Sequence, residues 1–185
     1  MTNTKVTVKD MTYCALFTVL IAVGAFIKVP IPVCPFTLQF FFTTMAGIIL
    51  GRKRGAISVT LYTVLGLFGL PIFAEGGGFW YILKPTFGYM IGFILGSYVT
   101  GKLVEKEGWS DARHAFVASF AGLLIVYAMG MIYYYIIGNY VINAPIGIWA
   151  LFLYCFILAV PGDIFLCVLA AMMTRRVKES VMRFM

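Results

Sequence analysis

The chain has 185 residues, 62% of them hydrophobic and 11% charged, with a formal net charge of +7. Soluble domains run near 45–50% apolar and about 25% charged, so a mean hydropathy of +0.98 excludes a water-soluble globular protein and points to a bilayer. In that setting the positive charge reads as loop topology, not as nucleic-acid binding.

A hydrocarbon core of about 30 Å takes roughly 20 helical residues to cross. Six apolar segments meet or approach that length: 11–29, 36–50, 55–70, 85–104, 116–141 and 146–173. Backbone groups in lipid have to be satisfied internally, so each segment is expected to be a helix. The first follows "MTNTKVTVKD" with no small-residue cleavage site after it, and reads as a retained span. On it Ala15, Thr18, Ala22 and Ala25 fall at i, i+3, i+7 and i+10. This stripe of small residues suits either internal packing or the docking of another membrane protein.

Segment two opens with "FTLQFFFTT", where Thr37, Gln39, Thr43 and Thr44 are uncharged polar groups of the kind that recognise a small polar ligand. Segments two and three are short, so a re-entrant pair is an alternative to two crossings. Between segments three and four runs "GLFGLPIFAEGGGFWYILKPTFGY", with one acid, Glu75, and one base, Lys84. It lacks the GK[ST] ending of a phosphate loop. A mobile lid is expected over 71–83. Gly76, Gly77 and Gly78 would allow positive φ close to a ligand, and Phe79 and Trp80 would close over it. Lys84 reads either as a lysine snorkelling to the interface or as the cation that meets a ligand carboxylate.

Segment four shows Gly88, Gly92 and Gly96, a GxxxGxxxG face for close backbone packing. Tyr89 lies one step around that helix and can turn its hydroxyl inward. In segment five Tyr127, Tyr133, Tyr134 and Tyr135, with Tyr140, read mostly as an interfacial belt and packing. Segment six holds Asp163 within "VPGD". A charge inside a span costs roughly 2.5–3.5 kcal/mol on insertion scales, so it is a functional hypothesis by default. Pro161 removes a backbone donor and tends to break the helix beside it. The carboxylate suits the N–H donors of a buried ligand; the bland alternative is a structural partner for Lys84.

The lysines and arginines give a direction. Lys5, Lys9, Arg52, Lys53, Arg54, Lys102, Lys106, Arg113, Arg175, Arg176, Lys178 and Arg183 share one side of a six-span arrangement, and Lys28 and Lys84 the other. Both termini are therefore expected in the cytoplasm. The loops on the opposite side are apolar and rich in proline, glycine or aromatics, which suits loops folded down over the bundle. Cys14, Cys34, Cys155 and Cys167 lack CxxC spacing and read as apolar filler, and one histidine, His114, makes no metal cluster. No Ser-His-Asp, HExxH or GxSxG arrangement is visible, and neither half repeats the other as in many secondary transporters. The residues alone describe a small six-span binding protein without an engine of its own.

Five stretches in fixed order make the reading specific: "VPIPVCPFTLQ" at 29–39, "AGIILGRKRGAIS" at 46–58, "GLPIFAEGGGF" at 69–79, "KPTFGYMIGF" at 84–93 and "VPGD" at 160–163. The chain resembles the BioY family, the biotin-specific S components of energy-coupling factor (ECF) vitamin transporters, over nearly its whole length. The resemblance implies one six-helix transmembrane domain over 1–185 in the cell membrane, not an enzyme and without a cofactor. It would capture biotin from outside and deliver it with a transmembrane coupling subunit and two cytoplasmic ATPases. Ala15, Thr18, Ala22 and Ala25 would dock the coupling subunit. Asp163 would accept from a ureido N–H, Gln39, Thr43 or Tyr89 would serve the ureido carbonyl, and Phe41, Phe79 and Trp80 would cover the apolar ring, with the opposite orientation of biotin as the alternative. Gly76, Gly77, Gly78 and Thr86 complete the expected ligand contacts. Two residues depart from the family pattern: Lys84 stands where glycine is usual, and Leu166 where lysine is usual. Lys84 is accordingly expected to take the ligand carboxylate. An S component for another vitamin, a lipid-acting enzyme using Asp163 and Lys84, and a ligand-free structural subunit are the competing readings.

Overall fold

The computed structural model describes residues 7–29, 35–107 and 112–184, with side chains described through residue 174. Lys5, Cys34 and the centre of the proline-rich loop at 30–34 lie outside the described residues, as do the side chains of Arg175, Arg176, Lys178 and Arg183.

Helix α1, Val8–Phe26, begins at a capping box: Thr7 Oγ1 accepts from the Asp10 N–H at 3.3 Å, and Asp10 Oδ2 accepts from the Thr7 N–H at 3.1 Å. Two backbone donors that the first turn leaves without helical partners are thereby satisfied. Asp10 Oδ2 also pairs with Arg54 Nη2 at 3.0 Å, tying the start of α1 to the next helix. After α1 the chain forms a two-stranded antiparallel ribbon, β1 (Lys28–Val29) with β2 (Phe36–Thr37), in which Lys28 faces Thr37 and Val29 faces Phe36.

Helix α2, Gln39–Leu67, is a hairpin of two arms. At Gly51 the backbone takes φ 80° and ψ 176°, a region essentially reserved for glycine. A straight helix would hold residues 47 and 55 about 12 Å apart. Here a Cβ on Gly55 would lie only 2.8 Å from Gly47 Cα and from the Ala46 carbonyl. The turn is fixed by Glu105, which accepts from the Arg52 N–H at 2.9 Å and pairs with Arg52 Nε at 3.2 Å. "AGIILGRKRGAIS" is thus a helical hairpin. Gly47 and Gly55 allow the arms to meet, and Gly51 reverses the chain.

Helices α3 (Phe87–Glu107) and α4 (Ala112–Ile136) cross on the glycine face expected from sequence. A Cβ on Gly88 would sit 2.9 Å from the Met129 carbonyl, and one on Gly92 2.8 Å from Val126 Cα. Glycine there lets the backbones touch, which is how helices gain packing where lipid is as apolar as leucine. A wide turn at Ile137–Val141 ends α4. Asn139 then closes the following loop, donating to the Tyr135 and Ile146 carbonyls at 3.0 and 3.3 Å and accepting from the Ile146 N–H at 3.2 Å. The short α5 (Ile148–Phe152) runs through a second wide turn, Leu153–Ile157, into α6 (Val160–Phe184). Pro161 occupies the first turn of α6, where its missing N–H costs nothing.

Among the described residues, four helical stretches are long and apolar enough to cross a membrane: Val8–Phe26, Phe87–Lys106, Ala112–Val141 and Ile148–Thr174. The four residues of the expected docking stripe divide along α1. Thr18 and Ala25 are buried, with the Thr18 hydroxyl 3.0 Å from the Ser58 carbonyl, whereas Ala15 is exposed and Ala22 half-buried.

Candidate functional site

The bundle opens into a cleft whose walls come from β2, the first arm of α2, the 74–86 loop region, α3, α4 and the start of α6. Burial grades along it. Gln39, Tyr127 and Asp163 are buried at its inner end, while Phe36, Thr37 and Ala74 are half-buried and Glu75 is exposed at its mouth. The empty space, counted out through the mouth and into open solvent, is about 630 Å³.

The inner end is polar in a few places. Pro161 and the turn at Leu158 and Ala159 start α6 so that Asp163 falls in its first turn, 7% exposed. A carboxylate there is favoured by the positive end of the helix dipole. The Tyr127 hydroxyl, from α4, donates to Asp163 Oδ2. Tyr127 is in turn held edge-on by Tyr89 and Phe156, with ring centroids 6.2 and 5.3 Å away. A carboxylate has acceptor sites beyond the one that Tyr127 uses. Gln39 is 1% exposed, and its amide lies 3.4 Å from Met90 Sδ, a weak acceptor for such a donor. Thr86 Oγ1 lines the cleft, is buried and has no hydrogen-bond partner among the described residues. An unsatisfied hydroxyl of that kind costs about 1–3 kcal/mol, which a ligand could recover. Between these groups Phe36, Phe40, Met90 and Phe93 supply apolar wall.

Of the residues expected from sequence, the fold brings Asp163, Gln39, Thr86 and Tyr89 to the cleft. The others lie elsewhere. Thr43 is buried one turn deeper, with its hydroxyl on the Phe40 carbonyl at 2.9 Å. Phe41 turns into the core against Phe42 (5.2 Å between centroids), while its neighbour Phe40 lines the cleft. Phe79 and Trp80 point away, 70% and 79% exposed. Gly76 and Gly78 do take positive φ, 109° and 108°, but these glycines shape the loop and do not line the cleft. The Gly78 N–H bonds the Gly66 carbonyl at 2.7 Å, and the Phe73 N–H bonds that of Gly76 at 2.8 Å. This fold drives Phe73, fully buried, between Tyr62 and Tyr81 and presents Ala74 and Glu75 at the mouth. Lys84 does not line the cleft. Its ammonium pairs with Glu75 Oε2 at 3.0 Å and lies 4.9 Å from the Tyr81 ring centroid. Leu166 is packed in the core, 4% exposed.

Tyr127 is the principal residue that sequence reasoning passes over. A tyrosine in an apolar span looks like packing, and its contact with Asp163 spans 36 positions. The available signal was its place among Gly122, Val126 and Gly130, on the face that α4 turns toward the bundle.

Comparison with known proteins places this geometry. The model of the BioY family matches residues 1–183. The chain belongs to the BioY family. The probable biotin transporter BioY of Lysinibacillus sphaericus is 41% identical over 162 residues, covering 88% of this chain and 83% of that protein. The biotin transporter BioY of Lactococcus lactis is 32% identical over 186 residues, covering 97% of this chain and 95% of that protein. Among solved structures, the S-component for biotin from an ECF-type ABC transporter superposes with a TM-score of 0.78 at 28% identity, covering 97% of this chain and 95% of that one. A transporter's binding subunit, not an enzyme, is therefore the frame for this BioY cleft.

Proposed function

We propose that this chain is a biotin-binding S component: it captures biotin in the cleft and passes it on within an ECF-type transporter. One observation carries the reading beyond family membership. A mostly apolar cleft in a BioY fold ends on a buried carboxylate, Asp163, held by Tyr127. Biotin offers a ureido ring with two N–H donors and one carbonyl, an apolar thioether ring and a valerate carboxylate. The Asp163 carboxylate matches a ureido N–H. Thr86, Gln39 and Tyr89 offer donors to the ureido carbonyl, and Phe36, Phe40, Met90 and Phe93 cover the apolar ring. Two carboxylates repel, so the valerate points away from Asp163, toward the mouth of the cleft.

The finer topology is part of the same proposal. The hairpin at Gly51 supports counting the two arms of α2 as separate crossings, giving six in all. The basic turn at Arg52, Lys53 and Arg54, on the side opposite Lys28 and Lys84, supports cytoplasmic termini. The coupling subunit and two ATPases would be met from that side. The exposed flank of α1 that includes Ala15 supports docking there, while Thr18 and Ala25 pack inward. Thiol labelling of single cysteines placed at Thr2 and at the exposed Trp80, in a cysteine-free background, tests the topology. Labelling from outside at 80 and not at 2 is expected; the reverse pattern overturns it. Equilibrium binding of labelled biotin to the purified chain tests the function. Saturable binding is expected, and its absence refutes the assignment.

A further inference from the structure

The mouth of the cleft contains an asymmetry between two lysines. Lys28 and Lys84 both reach the same dipeptide, Ala74–Glu75, which forms part of the cleft lining. Lys28 Nζ donates to the Ala74 carbonyl at 2.8 Å, and Lys84 Nζ to the Glu75 carbonyl at 3.2 Å. Their electrostatic situations differ. The charge of Lys84 is already matched by the Glu75 carboxylate at 3.0 Å and is further held against the Tyr81 ring. Among the described residues Lys28 has no acidic partner, only a neutral carbonyl. Neither lysine is among the lining residues, but Lys28 borders them: it stands opposite Thr37 in the ribbon, directly opposed residues of an antiparallel pair share a face, and Thr37 lines the cleft.

We infer that Lys28, and not Lys84, is the cation that receives the carboxylate of the bound ligand and so sets its preference for a carboxylate-bearing molecule over a neutral one. The inference rests on the biotin reading above. Among the described residues, two ammonium groups and one carboxylate leave the mouth with a single uncompensated positive charge, located on Lys28. An arriving carboxylate exchanges with the Ala74 carbonyl as the acceptor of the Lys28 ammonium, replacing a neutral hydrogen bond by a charge-assisted one. Taking Lys84 instead would require Glu75 to be stripped of its partner and left beside the incoming anion. Glu75 and Lys84 together therefore hold the loop, and Lys28 reads the ligand.

The test compares biotin with its neutral amide, biotinamide, on purified protein. Wild-type chain is expected to bind biotin more tightly than the amide. Lys28→Met should weaken biotin about tenfold, the low end for a hydrogen bond to a charged group, and leave the amide within twofold. Lys28→Arg should restore most of the preference. The charge-neutral pair Lys84→Met with Glu75→Gln should leave the biotin-to-amide ratio within twofold of wild type. If Lys28→Met weakens both ligands equally, the lysine only braces the Ala74 loop and the inference fails while the biotin reading stands. If the double variant abolishes the preference and Lys28→Met does not, Lys84 is the carboxylate partner and the inference is overturned. If wild type binds neither ligand, the biotin reading itself fails.

Discussion

Replacing Asp163 by asparagine removes one negative charge from the inner end of the cleft with almost no change in shape. The carboxylate accepts from Tyr127 through Oδ2 and has capacity left for a ureido N–H. An asparagine has one acceptor oxygen and one NH₂ group. If its oxygen stays on Tyr127, the NH₂ faces the ureido N–H, donor against donor. If it flips, the NH₂ meets Tyr127, whose hydroxyl can rotate and accept, and the ligand keeps a neutral hydrogen bond. The milder outcome exchanges a bond to a charged group, worth about 1.5–3 kcal/mol, for a neutral one worth about 0.5–1.5. The difference, about 1–1.5 kcal/mol, is about tenfold in affinity; the donor–donor outcome loses more. Asp163→Asn should therefore bind biotin at least about tenfold more weakly by equilibrium titration, with its melting temperature within a few degrees of wild type. An affinity within twofold of wild type would refute the assignment of Asp163 to the ligand.

Three further outcomes follow from the packing. Tyr127→Phe deprives the buried carboxylate of its donor, so thermal melts should show the empty protein destabilised by about 1–3 kcal/mol, with part of the loss recovered when biotin is added. Gly51→Ala should destabilise the fold by about 1–3 kcal/mol, because φ 80° with ψ 176° strains any side chain and the added methyl meets Glu105; an unchanged melting temperature would contradict a hairpin turn there. Phe73→Ala should cost about 3–5 kcal/mol and raise hydrogen exchange in the 69–78 loop, since the ring is fully buried between Tyr62 and Tyr81.

Much of this was legible in the sequence, for identifiable reasons. Apolar length reports helices directly, and the glycines at 88, 92 and 96 report a close crossing because few other arrangements need three residues without side chains on one face. The short second and third segments are the two arms of one hairpin turned at Gly51, beside the basic cluster. Asp163 was legible because a lone carboxylate in a span is costly without a task. The loop over 69–83 was less so. It contains four aromatics, Phe73, Phe79, Trp80 and Tyr81, and which of them turn inward depends on the conformations of Gly76 and Gly78, which composition does not encode. Phe73 and Tyr81 are buried, whereas Phe79 and Trp80, the pair expected at the ligand, are exposed. A single step along α2 has the same effect, since about 100° of rotation separates Phe40 in the cleft from Phe41 in the core. Lys84 was identified as a cation near the mouth, but its match with Glu75 is a contact across a folded loop.

The central claim is met most directly by titrating the purified wild-type chain, in detergent or nanodiscs and with no other subunit present, with labelled biotin. Saturable binding of one biotin per chain, displaced by unlabelled biotin and not by an unrelated vitamin such as thiamine, is the expected result. Absence of saturable binding, or equal displacement by thiamine, would contradict it.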